Sequence, residues 1–203
     1  MKPYLKIKEV TEPGGLENFS EREKDIFYSL KNPKRRGEWY WARISAKELL
    51  SDIYKINQKE IEILNDQNRV PYAKINQKKI NISISHRAGL CGCAVSQSSS
   101  PVGMDIEKKE EKNISFFEEY LNEEEISMCA KNPNIFSDIW ALKEASLKML
   151  GLGLSISAKD VCVNREEILF KGQALEKAKQ LNIVKTNFEL QTKNDWRIAL
   201  VWS

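Results

Sequence analysis

Between Ile135 and Leu150 apolar residues recur at helical spacing. Ile139, Leu142, Ala145, Leu147 and Leu150 supply one face, and Gly151 is a natural stop. This is the clearest local pattern in the chain. A helix with one apolar face must bury it against another element. The fold class therefore depends on what the flanking segments supply.

The flanks supply short strands. Tyr4 to Val10 alternates apolar and charged residues, as a half-exposed strand does. Ile80 to Ser85 and Leu90 to Ser96 are strand candidates joined around His86-Arg87-Ala88-Gly89. Glu60 to Leu64 and Val70 to Ile75 flank the polar turn Asp66-Gln67-Asn68 and read as a hairpin. Further strands are expected at Val102 to Ile106, Asp160 to Val163, Val184 to Leu190 and Trp196 to Trp202.

Helices alternate with them. Ser20 and Glu23 form a capping box for a helix carrying Ile26, Phe27 and Leu30, which Asn32-Pro33 ends. A second helix is expected from Lys34 to Tyr54, with Ile44, Leu49, Leu50 and Ile53 inward. Asn113 to Tyr120 and Ala174 to Leu181 read as helices. So does Glu123 to Ala130, capped by Asn122 with Glu125 three residues on. The polar stretch Gln97 to Ser100 before Pro101 reads as a hinge. The expectation is an α+β chain of two halves, 1–98 and 99–203, each a small, mostly antiparallel sheet packed with helices. No sequence repeat is legible.

Composition narrows the class. With 203 residues, 41% hydrophobic and 30% charged, the chain is of ordinary globular make-up. The net charge of +3 is too small to imply a nucleic-acid partner. Cys91, Cys93, Cys129 and Cys162 form no CxxC pair, and His86 is the only histidine, which argues against zinc. The N-terminus lacks the apolar core of a signal peptide, and no stretch approaches membrane-span length. A cytoplasmic protein is expected.

Three groups of residues could carry chemistry. Asp105 and Glu107 lie two apart in a strand and share a face. They are either a solvated acidic face or oxygen ligands of the kind Mg²⁺ takes. Trp140, Glu144 and Lys148 share one helix face, with Lys143 beside them. They are either a surface Glu-Lys pair or a third carboxylate with phosphate-binding lysines. Ser85, His86 and Arg87 end a strand, and Lys34, Arg35, Arg36 and Arg43 lie on the second helix. Both sets suit a phosphate, and the helix set equally suits a solvated basic face.

In order, Ser83-Ile84-Ser85-His86, then Val102-Gly103-Met104-Asp105-Ile106-Glu107-Lys108, then Trp140-Ala141-Leu142-Lys143-Glu144-Ala145-Ser146-Leu147-Lys148, ending in Gly151-Leu152-Gly153-Leu154, resemble the 4′-phosphopantetheinyl transferase superfamily. V-G-x-D-I-E and W-x-x-K-E-A-x-x-K are that family's signature. The length is similar to the larger, surfactin-synthetase-activating type, which resembles two fused α/β halves related by a pseudo-two-fold axis. Two positions depart from the pattern. The family's G-K-P reads Arg69-Val70-Pro71, and its N-I-S-H-S reads Ser83-Ile84-Ser85-His86-Arg87.

The resemblance implies transfer of 4′-phosphopantetheine from coenzyme A to a serine of an apo acyl, peptidyl or polyketide carrier protein. Adenosine 3′,5′-bisphosphate would be released. It implies Mg²⁺ held by Asp105, Glu107 and Glu144. Glu144 would take the serine proton, directly or through a water, and Lys148 and Lys143 would steady the phosphates. Ser85, His86, Arg35 and Arg43 would meet the 3′-phosphate end of coenzyme A. It places the nucleotide in the first half and the metal in the second, in a monomer with no nucleic-acid or membrane partner. Phe116, Phe117 and Tyr120 are either a docking patch for the carrier or helix core. Two rivals are a catalytically degenerate coenzyme A-binding module and a single-strand nucleic-acid binder using Lys34 to Arg36 with Trp39 and Trp41.

Overall fold

The computed structural model describes residues 1–96, 100–109 and 114–203, with side chains from 117 onward in the last segment. Residues 97–99 of the expected hinge and the start of the expected helix at Asn113 lie outside the described residues, as does the Phe116 side chain. Two compact units divide the chain, Met1–Ser100 and Pro101–Ser203.

Unit 1 is a five-stranded antiparallel sheet covered by a long helix. The strands are β1 (Tyr4–Glu9), β2 (Ile61–Asn65), β3 (Pro71–Ile75), β4 (Lys78–Arg87) and β5 (Leu90–Val95). Their order is β1-β5-β4-β3-β2, which leaves β1 at an edge. Helix α1 (Glu21–Ser29) begins at a complete capping box between Ser20 and Glu23. Helix α2 (Pro33–Tyr54) takes Asn32 as its N-cap and Pro33 in its first turn. Asn32-Pro33 thus opens the second helix, because proline fits a helix start where no N–H is needed. Leu49, Leu50, Ile61, Ile63, Ile75, Ile82, Cys93 and Val95 form the core beneath α2.

Unit 2 is built on β6 (Val102–Lys108), α3 (Ile114–Tyr120), α4 (Glu123–Lys131), α5 (Phe136–Leu150), β7 (Val161–Val163), β8 (Ile168–Phe170), α6 (Gly172–Gln180), β9 (Asn187–Lys193) and β10 (Trp196–Trp202). The main sheet runs β6-β10-β9, antiparallel throughout, with β6 at an edge. Strands β7 and β8 form a separate antiparallel pair. Helix α5 ends at Gly151, whose φ of 70° closes the last turn. Ala141, Ala145, Leu147 and Leu150 of α5 are buried in the core it shares with Ala199 and Val201. Phe117 and Tyr120 pack against that core, Phe117 with its ring 4.7 Å from Phe136 and Tyr120 5.0 Å from Trp140. Both therefore serve the core and not a free patch.

Two elements differ from expectation. Strand β8 is three residues long, too short for alternation to show. Val184 is 99% exposed, so the strand expected to begin there begins at Asn187. The hairpin with β10, turning at Asn194 (φ 53°), fixes that start.

A candidate active site on β6 and α5

Alternation along β6 turns Gly103, Asp105 and Glu107 to one side, and α5 packs on it. Gly103 sets the approach. A Cβ at this position would stand 1.8 Å from the Ala145 carbonyl oxygen and 2.6 Å from the Met149 nitrogen. Only glycine lets the helix backbone lie on the strand here. The V-G-x-D pattern thus holds a packing requirement as well as a carboxylate.

Helical spacing places Glu144 and Lys148 on the same face of α5. Lys148 Nζ lies 2.6 Å from Asp105 Oδ1, with the Asp105 side chain nearly buried. The carboxyl of Glu144 is pushed up to about 7, first by burial, then by the Asp105 charge, with Glu107 adding and Lys148 opposing. Four predicted site residues, Asp105, Glu107, Glu144 and Lys148, are therefore brought within electrostatic reach. Fully ionised, they are three carboxylates against one ammonium. Among the described residues no three acidic, cysteine or histidine side chains form a ready cage for a metal ion. On Asp105 the Lys148 ammonium provides the positive charge. The donor set still fits a hard divalent cation. It is all carboxylate oxygen, and its excess negative charge adds to the burial that raises Glu144.

Lys143 must be corrected. It was expected to face the phosphates, but its side chain is wholly buried. It pairs with Glu125 at 2.8 Å and donates to the carbonyls of Ala158 and Val161. Burial pulls its pKa down, partly offset by Glu125. Glu125 in turn accepts from the backbone N–H of Asn122, at the N-cap of α4, and from Val163 of β7. The pair therefore joins α4, α5 and β7.

In unit 1 the predicted phosphate residues do not converge. Arg43 is only 8% exposed and lies 3.9 Å over the Trp39 ring, and burial lowers its pKa to about 10. That site is the α1–α2 packing layer, a correction to its expected role on a ligand phosphate. Arg35 is exposed in the first turn of α2. Ser85 is buried while the next residue, His86, is exposed on the opposite face of β4. His86 Nδ1 stands 3.4 Å from Glu38 of α2. At about 100° per residue, Glu38 and Arg43 are roughly 140° apart around that helix.

Sequence reasoning read Glu125 and its unit 1 equivalent, Glu23, as capping-box residues and overlooked their buried ion pairs. Glu23 pairs with the buried Lys47 at 2.9 Å, accepts from the backbone N–H of Ser20 and Ile63, and Lys47 donates to the Ile61 carbonyl. The available signal was a capping-box glutamate together with a lysine on the apolar stripe of a helix.

Comparison with known proteins agrees with the β6–α5 motifs. The family model for the 4′-phosphopantetheinyl transferase superfamily matches residues 101–201. The Campylobacter jejuni holo-[acyl-carrier-protein] synthase is 31% identical over 93 residues, 43% of this chain and 78% of that protein. The chain belongs to the 4′-phosphopantetheinyl transferase superfamily. Two superfamily members extend the match into unit 1. The 4′-phosphopantetheinyl transferase gsp of Aneurinibacillus migulanus is 24% identical over 155 residues, 74% of this chain. The transferase Sfp of Bacillus subtilis is 25% identical over 155 residues, 68% of this chain and 67% of that one. The match spans 63% of the gsp protein's length. Among solved structures, Helicobacter pylori holo-[acyl-carrier-protein] synthase in complex with coenzyme A aligns over 50% of this chain and 99% of that one. Its TM-score is 0.43 at 24% identity.

Proposed function

We propose that this protein transfers the 4′-phosphopantetheine arm of coenzyme A to a serine hydroxyl of an apo carrier protein. The observation that carries the reading is the convergence of Asp105 from β6 with Glu144 and Lys148 from α5, in a chain of this superfamily. The serine oxygen attacks the pantetheine-side phosphorus of the coenzyme's diphosphate. The bond to the bridging oxygen breaks, and adenosine 3′,5′-bisphosphate leaves.

Each residue has a role that follows from its setting. Glu144, whose carboxyl burial and Asp105 push up to about 7, would take the serine proton directly or, where a held cation lowers its basicity, through a water. Lys148, already at the carboxylates, is placed to steady phosphate charge. Asp105, Glu107 and Glu144 would hold Mg²⁺, which when bound supplies positive charge to a diphosphate. His86 and Arg35, both exposed, remain the unit 1 candidates for the nucleotide end of coenzyme A.

The setting is proposed as the cytoplasm and the working state as a monomer. The four cysteines are free, in keeping with a reducing compartment. Among the described residues no helix is long and apolar enough to cross a membrane.

The test is a mass-shift assay with protein, coenzyme A, Mg²⁺ and a panel of apo carriers. A gain of one phosphopantetheine on a carrier is expected, and EDTA should suppress it. No gain on any carrier, with coenzyme A still bound, would replace this reading with that of a binding module. Lys148→Ala should lower the turnover number about 10²-fold while changing the KM for coenzyme A far less. Steady-state kinetics on the modified carrier separates the two effects.

A further inference from the structure

Among the described residues each unit has a buried lysine–glutamate pair, and the two pairs align the units residue by residue. Lys47 of α2 matches Lys143 of α5, since each bonds a capping-box glutamate and the first carbonyl of a short strand. The following residues are then equivalent. Glu48 matches Glu144, and Asp52 matches Lys148, four positions on. Both helices pack on an edge strand, β1 in unit 1 and β6 in unit 2.

On β1, the strand partner of α2, Lys6 and Lys8 share a face as Asp105 and Glu107 do on β6. Lys6 Nζ lies 3.0 Å from Glu48 and 3.3 Å from Asp52, and Lys8 bonds the other oxygen of Glu48. The Lys6–Asp52 bridge repeats the Lys148–Asp105 bridge with its charges exchanged.

We propose that unit 1 carries a charge-reversed counterpart of the β6–α5 site, in which Lys6 and Lys8 stand where Asp105 and Glu107 stand, and Asp52 where Lys148 stands. The unit 1 set has two lysines against two carboxylates and no net charge. The unit 2 set has three carboxylates against one lysine, leaving the charge that one divalent cation neutralises. The lysines of β1 thus do permanently what a bound cation would do beside α5. Burial alone would raise the Glu48 pKa, yet the bonds from Lys8 and Lys6 hold it below the ordinary range. On this reading unit 1 holds no cation because three of its matched charges are reversed.

This inference rests on the divalent-ion reading of unit 2, and the experiment separates the two. Mn²⁺ is titrated into the full chain and counted by electron paramagnetic resonance. The native protein should bind about one ion per chain, and Asp105→Ala none. Adding Lys6→Asp, Lys8→Glu and Asp52→Lys to Asp105→Ala should restore about one ion per chain. A folded variant of that kind that binds none overturns the proposal. A native protein that binds none overturns the unit 2 reading on which it rests. Should the multiple variant fail to fold, Asp105→Lys with Lys148→Asp reproduces the unit 1 bridge in unit 2. It should fold and bind no Mn²⁺. Misfolding, or retained binding, overturns the equivalence.

Discussion

Replacing Gly103 with valine should leave little folded protein and no transfer activity. The smallest side chain would place a carbon 1.8 Å from a helix carbonyl oxygen and 2.6 Å from a helix nitrogen. Both neighbours are backbone of α5 and cannot rotate away. Overpacking a core typically costs about 1–3 kcal/mol, and rigid backbone on the opposing side puts valine at or above the top of that range, ~3 kcal/mol or more. Even Gly103→Ala should lower the urea midpoint clearly. Any surviving fold must lift α5 off β6, separating Glu144 and Lys148 from Asp105. Activity should therefore fall further than the folded fraction does. Native stability in Gly103→Ala would show that the strand and helix do not approach in this way.

Lys143→Met should cost about 3–5 kcal/mol, the usual cost of breaking a buried ion pair from one side. The substitution leaves the Glu125 carboxylate buried without its counter-charge, and removes the lysine's bonds to the Ala158 and Val161 carbonyls. The double variant Lys143→Met with Glu125→Gln removes the charge from both sides but keeps an oxygen for only one of the Asn122 and Val163 N–H groups, which bond different oxygens of Glu125. It should recover part of the loss. A double-mutant cycle by urea denaturation measures the coupling. Had Lys143 faced a phosphate, the single variant would be nearly as stable as the native protein and would lose affinity for coenzyme A.

The orientation of the candidate site residues was legible where periodicity alone decides it. Asp105 and Glu107 follow from strand alternation, and Glu144 with Lys148 from the helical repeat. Most elements of both units were legible as well, and capping boxes marked the helix starts at Ser20 and Asn122. Lys143 was misread because its charge was given more weight than its position. It falls four residues after Ile139 and four before Leu147, on the buried stripe of α5. A lysine there requires a buried carboxylate, and the capping-box Glu125 supplies it from 18 residues away in sequence. Arg43 was misread in the same way, as its guanidinium lies over the Trp39 ring. The equivalence of the two units was not legible. It lies in hydrogen-bond partners, and the matched surface positions carry opposite charges.

The most direct test of the account is single-turnover transfer by Asp105→Asn, which removes the charge of the carboxylate and keeps its shape. With saturating coenzyme A, Mg²⁺ and an accepted apo carrier, the rate should fall by at least ~10³-fold while the melting temperature stays near the native value. Transfer at the native rate by the folded variant would contradict the account, because the carboxylates of β6 and α5 would then have no part in the reaction.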